Sequence, residues 1–497
     1  MLDKYRSELA AFQEALGREY FLHHSGQKKA LELYPIYDRY ADLFTREAIK
    51  SLKDQLESTP DHFERQRQGI KLLVAFVEEH FIEKQAQGLT EQIAQSESQA
   101  TLRFDSKEIP FYRAPEVLAN EPDAQKRRSL TQQRIERVSE SNELREERLR
   151  RLHETSRTLG YENYWAMATL WRGINLSSYA DLAAQFLEHT ESLYVRQMEE
   201  RLPRMLGTSL AQADRADVEY FLQLNQYADF FPPDGAVAVY RETLKTLGIS
   251  EERQKQVEID DAQRPGKHRR SFCIPVRVPE EIKLSISLRG GPNDYQAMLH
   301  EGGHAQHYAW TSPSLPVEFK IAGDPAVAEG YAFLFQYLML DPLWLDEMLH
   351  FGGSEDFIKL GWLHKLFYLR RYAAKLNYER DLHTSGDLAE ASVQYAQRLT
   401  EATGFRYPAE DFLYDLNDHV YAANYFRGWL FEAQLREYLK TRFGKRWWKS
   451  ARAADFLIDL WNTGESYAAE ELALLVDLGP LSFDQLTTEF IEALKER

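Results

Sequence analysis

Residues 299–308 read LHEGGHAQHY and contain the pattern His-Glu-x-x-His. On an α-helix, residues four apart project from one face, so the His300 and His304 imidazoles can bind the same metal ion. Glu301 lies about 100° further round the helix axis, where it can take a proton from water beside the metal. With 14 histidines in 497 residues, chance produces this pattern in roughly a few per cent of such chains. The pattern therefore favours a helical zinc site, and a third ligand is needed.

Residues 323–338, GDPAVAEGYAFLFQYL, supply a candidate for that ligand. Asp324 is a suitable N-cap and Pro325 a suitable first residue for a helix that carries Glu329 in its second turn. The neighbouring residues are mostly apolar, and a carboxylate buried among them without a partner would be costly. A metal ion would remove that cost. The alternative is an ion pair between Glu329 and a lysine or arginine.

Composition excludes several classes of protein. The net charge is −17, which argues against nucleic-acid binding and against adhesion to anionic membranes. Hydrophobic residues make up 43% of the chain, enough for a large core. Cys273 is the single cysteine, so no intrachain disulfide can form, and its alternation with apolar residues predicts a buried position. The N-terminus lacks an apolar signal-peptide region, and no 18-residue apolar run is present. We expect a cytoplasmic protein without a membrane segment.

Helical periodicity dominates the chain. Apolar residues at helical spacing over 70–81 form one face, and similar patterns cover 141–160, 178–202, 238–247, 355–380, 387–402 and 420–442. The charge run LREERLRR at 144–151 is interpreted as a solvated helix face. We therefore predict a mainly α fold.

One region departs from this pattern. Residues 271–278 and 281–288 alternate apolar and polar side chains, which predicts a β-hairpin. A turn follows, in which Asn293 or Asp294 can cap the helix that contains the His-Glu-x-x-His pattern. The hairpin therefore lies beside the predicted metal site, where an exposed strand edge can hold an extended peptide.

The stretch HEGGHAQHYAWTSPSLPVEFKIAGDPAVAEGYAFLF (300–335) resembles the zinc-helix region of the gluzincin peptidases. The similar members are thimet oligopeptidase, oligoendopeptidase F and angiotensin-converting enzyme. The preceding stretch, 264–301, looks most like oligoendopeptidase F. DHVYAANYFRGWLFEAQLREYL (418–439) resembles the tyrosine-bearing helix of the family. The resemblance covers roughly 141–497.

The resemblance implies a mainly α, two-lobed helical ellipsoid around a deep substrate channel, with a small β-sheet next to the zinc helix. It implies an N-terminal helical region at 1–140 and a peptidase region at 141–497. The implied activity is zinc-dependent hydrolysis of short peptides. One Zn²⁺ per chain would be bound by His300, His304 and Glu329, with Glu301 as general base. His419, Tyr421 and Tyr425 would stabilise the reaction intermediate or hold the substrate.

Several residues leave alternatives open. Gly428 stands where relatives carry the last tyrosine of this motif, so the oxyanion tyrosine is expected to be missing or replaced. Arg289 and Arg427 could bind a substrate carboxylate or form ordinary ion pairs. His307 could support a metal ligand or only pack. The chain could accordingly be a catalytically impaired zinc-binding relative, or a helical interaction scaffold without a metal.

Overall fold

The stretches with helical periodicity form α-helices in a computed structural model of the chain, which describes residues 2–264, 266–268 and 270–495. In chain order the helices are α1 (Leu2–His24), α2 (Tyr34–Arg39), α3 (Arg46–Ser58), α4 (Glu64–Gln99), α5 (Ala114–Asn120), α6 (Ala124–Ser139), α7 (Asn142–Thr158), α8 (Tyr164–Arg172), α9 (Leu176–Leu206), α10 (Val218–Leu222), α11 (Ala236–Leu247), α12 (Pro292–Trp310), α13 (Glu318–Ile321), α14 (Pro325–Gln336), α15 (Pro342–Leu349), α16 (Glu355–Ser385), α17 (Leu388–Thr403), α18 (Tyr421–Phe443), α19 (Ala451–Trp461), α20 (Ala469–Leu475) and α21 (Asp484–Ala493).

These helices confirm the mainly α prediction. Each segment predicted from periodicity lies within a helix, or within a residue or two of one: 141–160 with α7, 178–202 with α9, and 420–442 with α18. The predicted apolar face on α4 is buried at Ile70, Leu73, Val74, Val77 and Phe81. The two-lobed shape and the channel stay predictions.

The chain divides into two structural units. Unit 1 contains residues 1–81, 224–358 and 427–486, and unit 2 contains residues 82–223, 359–426 and 487–497. Both units include segments from each side of residue 140, which the sequence suggests as a boundary. The unit boundary at 426/427 falls within α18, so Tyr421 and Tyr425 belong to unit 2 and Arg427 belongs to unit 1.

Strands are few. In unit 2, β1 (Thr101–Phe104) and β2 (Lys107–Pro110) form an antiparallel hairpin. In unit 1, β3 (Val257–Asp260), β4 (Phe272–Arg277) and β5 (Glu281–Ser285) form a sheet in the order β3-β5-β4. The predicted hairpin is confirmed, since β4 and β5 are antiparallel with Cys273 opposite Leu284. The parallel strand β3 was not predicted, because four residues are too few for a clear alternation.

The start of α12 corrects one prediction. The N-cap is Gly291 and the first helical residue is Pro292, so the helix begins earlier than a cap at Asn293 or Asp294 would allow. Proline suits this position because the first helical N–H needs no partner within the helix. Asp294 instead accepts hydrogen bonds from the backbone N–H groups of Arg289 and Gly290. Its carboxylate closes the turn between β5 and α12.

Helix α1 packs against the strand that lies nearest the predicted metal site. A Cβ atom at Gly17 would lie 3.3 Å from Ile274 Cγ2 and 3.4 Å from Val276 Cα, so the helix backbone approaches β4 closely. Phe12 of α1 is fully buried, and its ring contacts those of Tyr37 and Phe44. In unit 2, a separate core cluster contains Leu102, Phe111, Ala114, Leu118, Leu130 and Val138.

None of the helices in the described part of the chain combines the length and the apolar character that a membrane crossing requires.

The aromatic cluster around Phe12 gives a test of the fold. Because Phe12 is fully buried, Phe12→Ala should lower the free energy of unfolding by about 3–5 kcal/mol. Phe63→Ala is the control, since Phe63 is 49% exposed and its loss should cost about 0.5 kcal/mol or less. Urea unfolding followed by circular dichroism measures both. Equal effects of the two substitutions would contradict this packing.

Candidate metal centre

Helix α12 presents His300, Glu301 and His304 on one side. The imidazole centroids of His300 and His304 lie 4.9 Å apart with their planes at 88°. All three side chains are partly exposed, while Gly302 and Gly303 between them are buried. The helix geometry expected from the sequence is therefore present: two nitrogen donors one turn apart and a carboxylate beside them.

Helix α14 brings the third candidate ligand to the same place. Glu329 Oε2 lies 3.6 Å from His300 Nε2 and 3.9 Å from His304 Nε2. The three donor atoms lie within 4.8 Å of one another. The predicted cap is also present, since Asp324 accepts a hydrogen bond of 3.1 Å from Ala326 N and Pro325 begins the helix.

The approach of α12 and α14 depends on glycine. A Cβ atom at Gly303 would lie 2.7 Å from Ala332 Cα and 2.8 Å from Tyr331 O, closer than Cβ atoms in proteins approach non-bonded neighbours. A Cβ atom at Gly302 would collide with the ring of Tyr240, which lies on α11. The two glycines that weaken helix propensity in this motif are thus required by close neighbours on both sides.

The protonation states of His300 and His304 are compatible with metal binding. His300 Nδ1 lies 2.8 Å from Gln336 Oε1, so this nitrogen donates its hydrogen and Nε2 is left as the electron-pair donor. Burial lowers the pKa of His300 to about 4. Burial, with His300 and His307 nearby, lowers the pKa of His304 well below its usual value. Both imidazoles are therefore neutral at pH 7, the form that binds a cation.

The carboxylates also fit a bound cation. Burial and the nearby Glu329 raise the pKa of Glu301 to about 8, while a hydrogen bond from the Cys273 backbone acts in the opposite direction. Two acidic groups this close repel each other when both are ionised, and a cation between them removes that repulsion. Two imidazoles and one carboxylate are a common donor set of catalytic zinc sites. The residues present fit Zn²⁺.

Strand β4 runs next to Glu301, as the contact with Cys273 shows. It lies at one edge of the three-stranded sheet, and within the described residues its outer side has no strand partner. Cys273 is only half-buried, which corrects the expectation of a buried cysteine, because residues at a sheet edge are covered on fewer sides. An extended peptide can pair with such an edge.

Two residues near the centre were not found from the sequence. Gln336 orients His300, and Tyr308 lies one turn beyond His304 with its ring stacked on that imidazole at 6.5 Å. Burial raises the pKa of Tyr308 above its usual range, as do the nearby acidic groups, of which Glu465 is the strongest. The i+4 spacing from His304 was the available signal for Tyr308. Nothing local identifies Gln336, which lies seven residues beyond Glu329.

His307 is a packing residue. Its side chain is fully buried, and its Nε2 lies 3.2 Å from the carbonyl oxygen of Gly464. Its ring contacts those of Tyr308 and Tyr331. Of the two interpretations left open by the sequence, the structure supports packing.

In unit 2, His419 lies in a tightly held turn before α18. His419 and Val420 both have left-handed backbone conformations, with φ of 59° and 54°, which are unfavourable for these residue types. His419 Nδ1 lies 3.2 Å from the Tyr164 hydroxyl, and Nε2 lies 3.2 Å from Glu83 Oε1. Arg172 donates to the His419 carbonyl oxygen. These contacts hold the strained turn in place.

The charge run at 144–151 contributes to the same region. Arg148 donates to Asp418 at 2.9 and 2.6 Å, and Arg145 is buried and donates to Glu97. The prediction of a fully solvated helix face is therefore wrong for these two residues. Periodicity does not reveal carboxylates that are distant in sequence but adjacent in the fold. Arg148 fixes the residue immediately before His419.

The tyrosines of α18 pack against each other. Tyr421 and Tyr425 have ring centroids 5.0 Å apart in an edge-to-face arrangement. Tyr425 also contacts the ring of Tyr372 at 4.9 Å. Both tyrosines and His419 belong to unit 2, whereas His300, Glu301, His304 and Glu329 belong to unit 1. Their catalytic roles stay predictions.

The two arginines have different surroundings. Arg427 is completely buried, and its guanidinium donates to Asp324 and Glu470. This placement favours the ordinary ion pair over binding of a substrate carboxylate. Arg289 is exposed at the turn before α12, where a ligand can reach it.

Gly428 packs directly against α14. A Cβ atom there would lie 2.9 Å from Glu329 Cβ and 3.2 Å from Ala326 O, so the position faces the backbone of α14 and has no room for a ring. This close packing accounts for a glycine at the position, and the expectation that the oxyanion tyrosine is missing or replaced stays a prediction. The motif comparison gave residue order along α18 but not which face of the helix meets α14.

Solved structures share this fold. A structure described as an oligoendopeptidase F matches 98% of this chain over 89% of its own length, with 14% identity and a TM-score of 0.71. A structure from Bacillus anthracis str. Ames, described in the same way, covers 95% of this chain and 87% of its own, with 12% identity and a TM-score of 0.67. The structure of Pz peptidase A with an inhibitor covers 96% of this chain and 88% of its own, with 14% identity and a TM-score of 0.67. No family model and no curated protein matches the sequence. The chain has the fold of the oligoendopeptidases, and the likeness to angiotensin-converting enzyme stays a prediction.

Proposed function

We propose that this chain is a zinc-dependent peptidase that hydrolyses short peptides. The observation that carries the proposal is the convergence of His300, His304 and Glu329, with Glu301 beside them on the same helix. One Zn²⁺ per chain would occupy this donor set. The fold shared with oligoendopeptidase F and Pz peptidase A supports the same activity.

Several residues of the chain have separate roles in the proposed hydrolysis. When bound, zinc supplies the Lewis acidity that activates water and the scissile carbonyl. Glu301 accepts a proton from the attacking water and passes it to the leaving amine. Gln336 holds His300 in the tautomer that donates through Nε2. The buried surroundings of both histidines keep them neutral and ready to bind the ion.

Strand β4 is the proposed substrate support. A peptide that adds to its open edge must be extended along several residues, because backbone hydrogen bonds form at each alternate residue. Short unstructured peptides satisfy this requirement, and stably folded proteins do not. Arg289, exposed before α12, remains a candidate contact for a substrate carboxylate.

The family resemblance is the reason that the proposal includes His419, Tyr421 and Tyr425. Their imidazole and hydroxyl groups are suited to donate hydrogen bonds to a developing oxyanion. The contacts of His419 with Tyr164 and Glu83 support a fixed orientation of its ring.

The two alternative functions are less well supported. The impaired-enzyme alternative rests on Gly428 alone, whereas His419, Tyr421 and Tyr425 offer other candidate hydrogen-bond donors. A metal-free scaffold would leave three donor groups gathered within 4.8 Å without a use. Metal analysis of the purified protein and hydrolysis of a fluorogenic peptide library, with and without a chelator, separate all three functions.

His304→Ala tests the metal site. Loss of one of three ligands should weaken zinc binding by more than about 100-fold, since even indirect partners of ligands contribute 10–100-fold. Metal analysis after dialysis should find about one zinc in the wild type and almost none in the variant. His62→Ala, at an exposed position, is the control and should retain zinc. Undiminished zinc in His304→Ala would exclude this histidine as a ligand.

Glu301→Gln tests the general base. The amide keeps the shape of the side chain but cannot accept the proton, so turnover should fall by about 10²–10⁴-fold while zinc content is unchanged. Glu280→Gln, at the exposed turn between β4 and β5, should leave turnover intact. Near-normal hydrolysis by zinc-loaded Glu301→Gln would remove Glu301 from this role.

Tyr425→Phe tests the oxyanion role. A donor that acts only in the transition state affects kcat more than KM, so kcat should fall by about tenfold or more. Tyr112→Phe is the control, because Tyr112 is 59% exposed and lies outside α18. Steady-state kinetics on one peptide measures both constants. A raised KM with an unchanged kcat would instead assign Tyr425 to substrate binding or packing.

A further inference from the structure

Helix α18 meets α14 at the residue that carries the third candidate ligand. A Cβ atom at Gly428 would lie 2.9 Å from Glu329 Cβ, 3.2 Å from Ala326 O and 3.3 Å from Gly330 N. Two of these three atoms belong to the α14 backbone, which cannot move aside as a flexible side chain can. The hydrogen atom of Gly428 therefore allows α18 to lie directly against Glu329.

The contact is made from both helices. Gly330, next to Glu329, also lacks a side chain, and a Cβ atom there would lie 2.5 Å from Phe431 Cδ1 and 3.3 Å from Gly428 O. On the opposite side of α14, Gly303 of α12 meets the backbone at Tyr331 and Ala332. Helix α14 is thus held between two close glycine contacts and has little freedom to move sideways.

An ion-pair network fixes α14 along its axis. Arg427, the neighbour of Gly428, donates from Nη1 to Asp324 Oδ1 at 2.8 Å and from Nε to Glu470 Oε1 at 2.7 Å. Asp324 is the N-cap of α14, and its second oxygen accepts from Ala469 N at 2.9 Å. Arg427 and Asp324 are both buried, so water does not compete for these bonds. The N-terminus of α14 is therefore bound by Arg427, the residue of α18 that precedes Gly428.

From this geometry we infer that Gly428 is a positioning residue for the metal ligand Glu329, an inference that rests on the proposed zinc site. Any side chain at 428 must displace α14 or α18, and Gly303 resists a displacement of α14 towards α12. Ligand groups need to be held within about 0.5 Å of their working geometry. An added methyl group at Gly428 therefore disturbs the metal site before it disturbs the fold.

The test measures zinc affinity of folded protein. Gly428→Ala should bind zinc about 10–100-fold more weakly than the wild type, the range seen when groups that orient a ligand are lost. Competition with a chromophoric chelator gives the affinity, at a temperature at which circular dichroism shows the metal-free chain to be folded. The visible absorption spectrum after loading with Co²⁺ should also change, because it reports ligand geometry, and a merely structural role would leave it unchanged.

Two matched variants separate this effect from general ones. Gly88→Ala changes a glycine within α4 whose added Cβ would meet nothing within 4 Å, so zinc affinity and the Co²⁺ spectrum should be those of the wild type. Gly330→Ala crowds the same helix pair, since its Cβ atom would lie 2.5 Å from the ring of the fully buried Phe431. It should also weaken zinc binding, because it displaces α14 at the residue next to Glu329.

The outcomes are distinct. Zinc affinity and a Co²⁺ spectrum like those of the wild type in Gly428→Ala would overturn the inference. A Gly428→Ala chain that cannot fold without metal would also overturn it, since Gly428 would then be required for the fold itself. A wild-type chain that binds no zinc would instead overturn the proposed function.

Discussion

The close approach of α12 and α14 is the constraint on which the candidate metal centre depends. Helix axes usually pack 8–10 Å apart with side chains between them, and a side chain at Gly303 would prevent Glu329 from reaching the two histidines. Each glycine within a helix costs about 1 kcal/mol relative to alanine. Tyr240 supports the resulting arrangement, since its hydroxyl donates to the carbonyl of Gly302 and accepts from Gln306. The glycines therefore lower the stability of α12 but allow the candidate site to form between two helices.

Buried arginines contribute to geometry more than to stability. In unit 1, Arg427 joins α18, the N-cap of α14 and Glu470. In unit 2, Arg127 pairs with Asp217 at 2.6 Å and Arg134 pairs with Asp411 at 3.0 Å, all four side chains being almost inaccessible to water. Buried ion pairs often contribute little net stability, because desolvation offsets their attraction. Their directional bonds nevertheless select one arrangement of the helices that they join.

The accuracy of the sequence-based predictions depended on how local each signal was. The His-Glu-x-x-His spacing, the cap formed by Asp324 and Pro325, and the alternation in β4 and β5 each lie within about one turn or one strand, and the structure contains all of them. The contacts of Gln336 with His300 and of Gly428 with Glu329 join residues far apart in the chain. A single sequence does not show which helix faces meet, so the packing of Gly428 against Glu329 was not predicted and Gln336 was missed. The parallel pairing of β3 with β5 was missed for the same reason.

The discontinuous course of unit 1 has a consequence for biosynthesis. The ribosome makes α12 and α14 before residues 359–426, which belong to unit 2, and only then makes the segment that carries Arg427 and Gly428. While the nascent chain lengthens, Glu329 and the two histidines lack the α18 surface against which α14 packs. The ring of Phe333, which stacks on that of Trp429 in α18, also lacks this partner at that stage. We expect the ion of the proposed site to bind stably only after α18 has been made, because α14 lacks its contact with Gly428 before then.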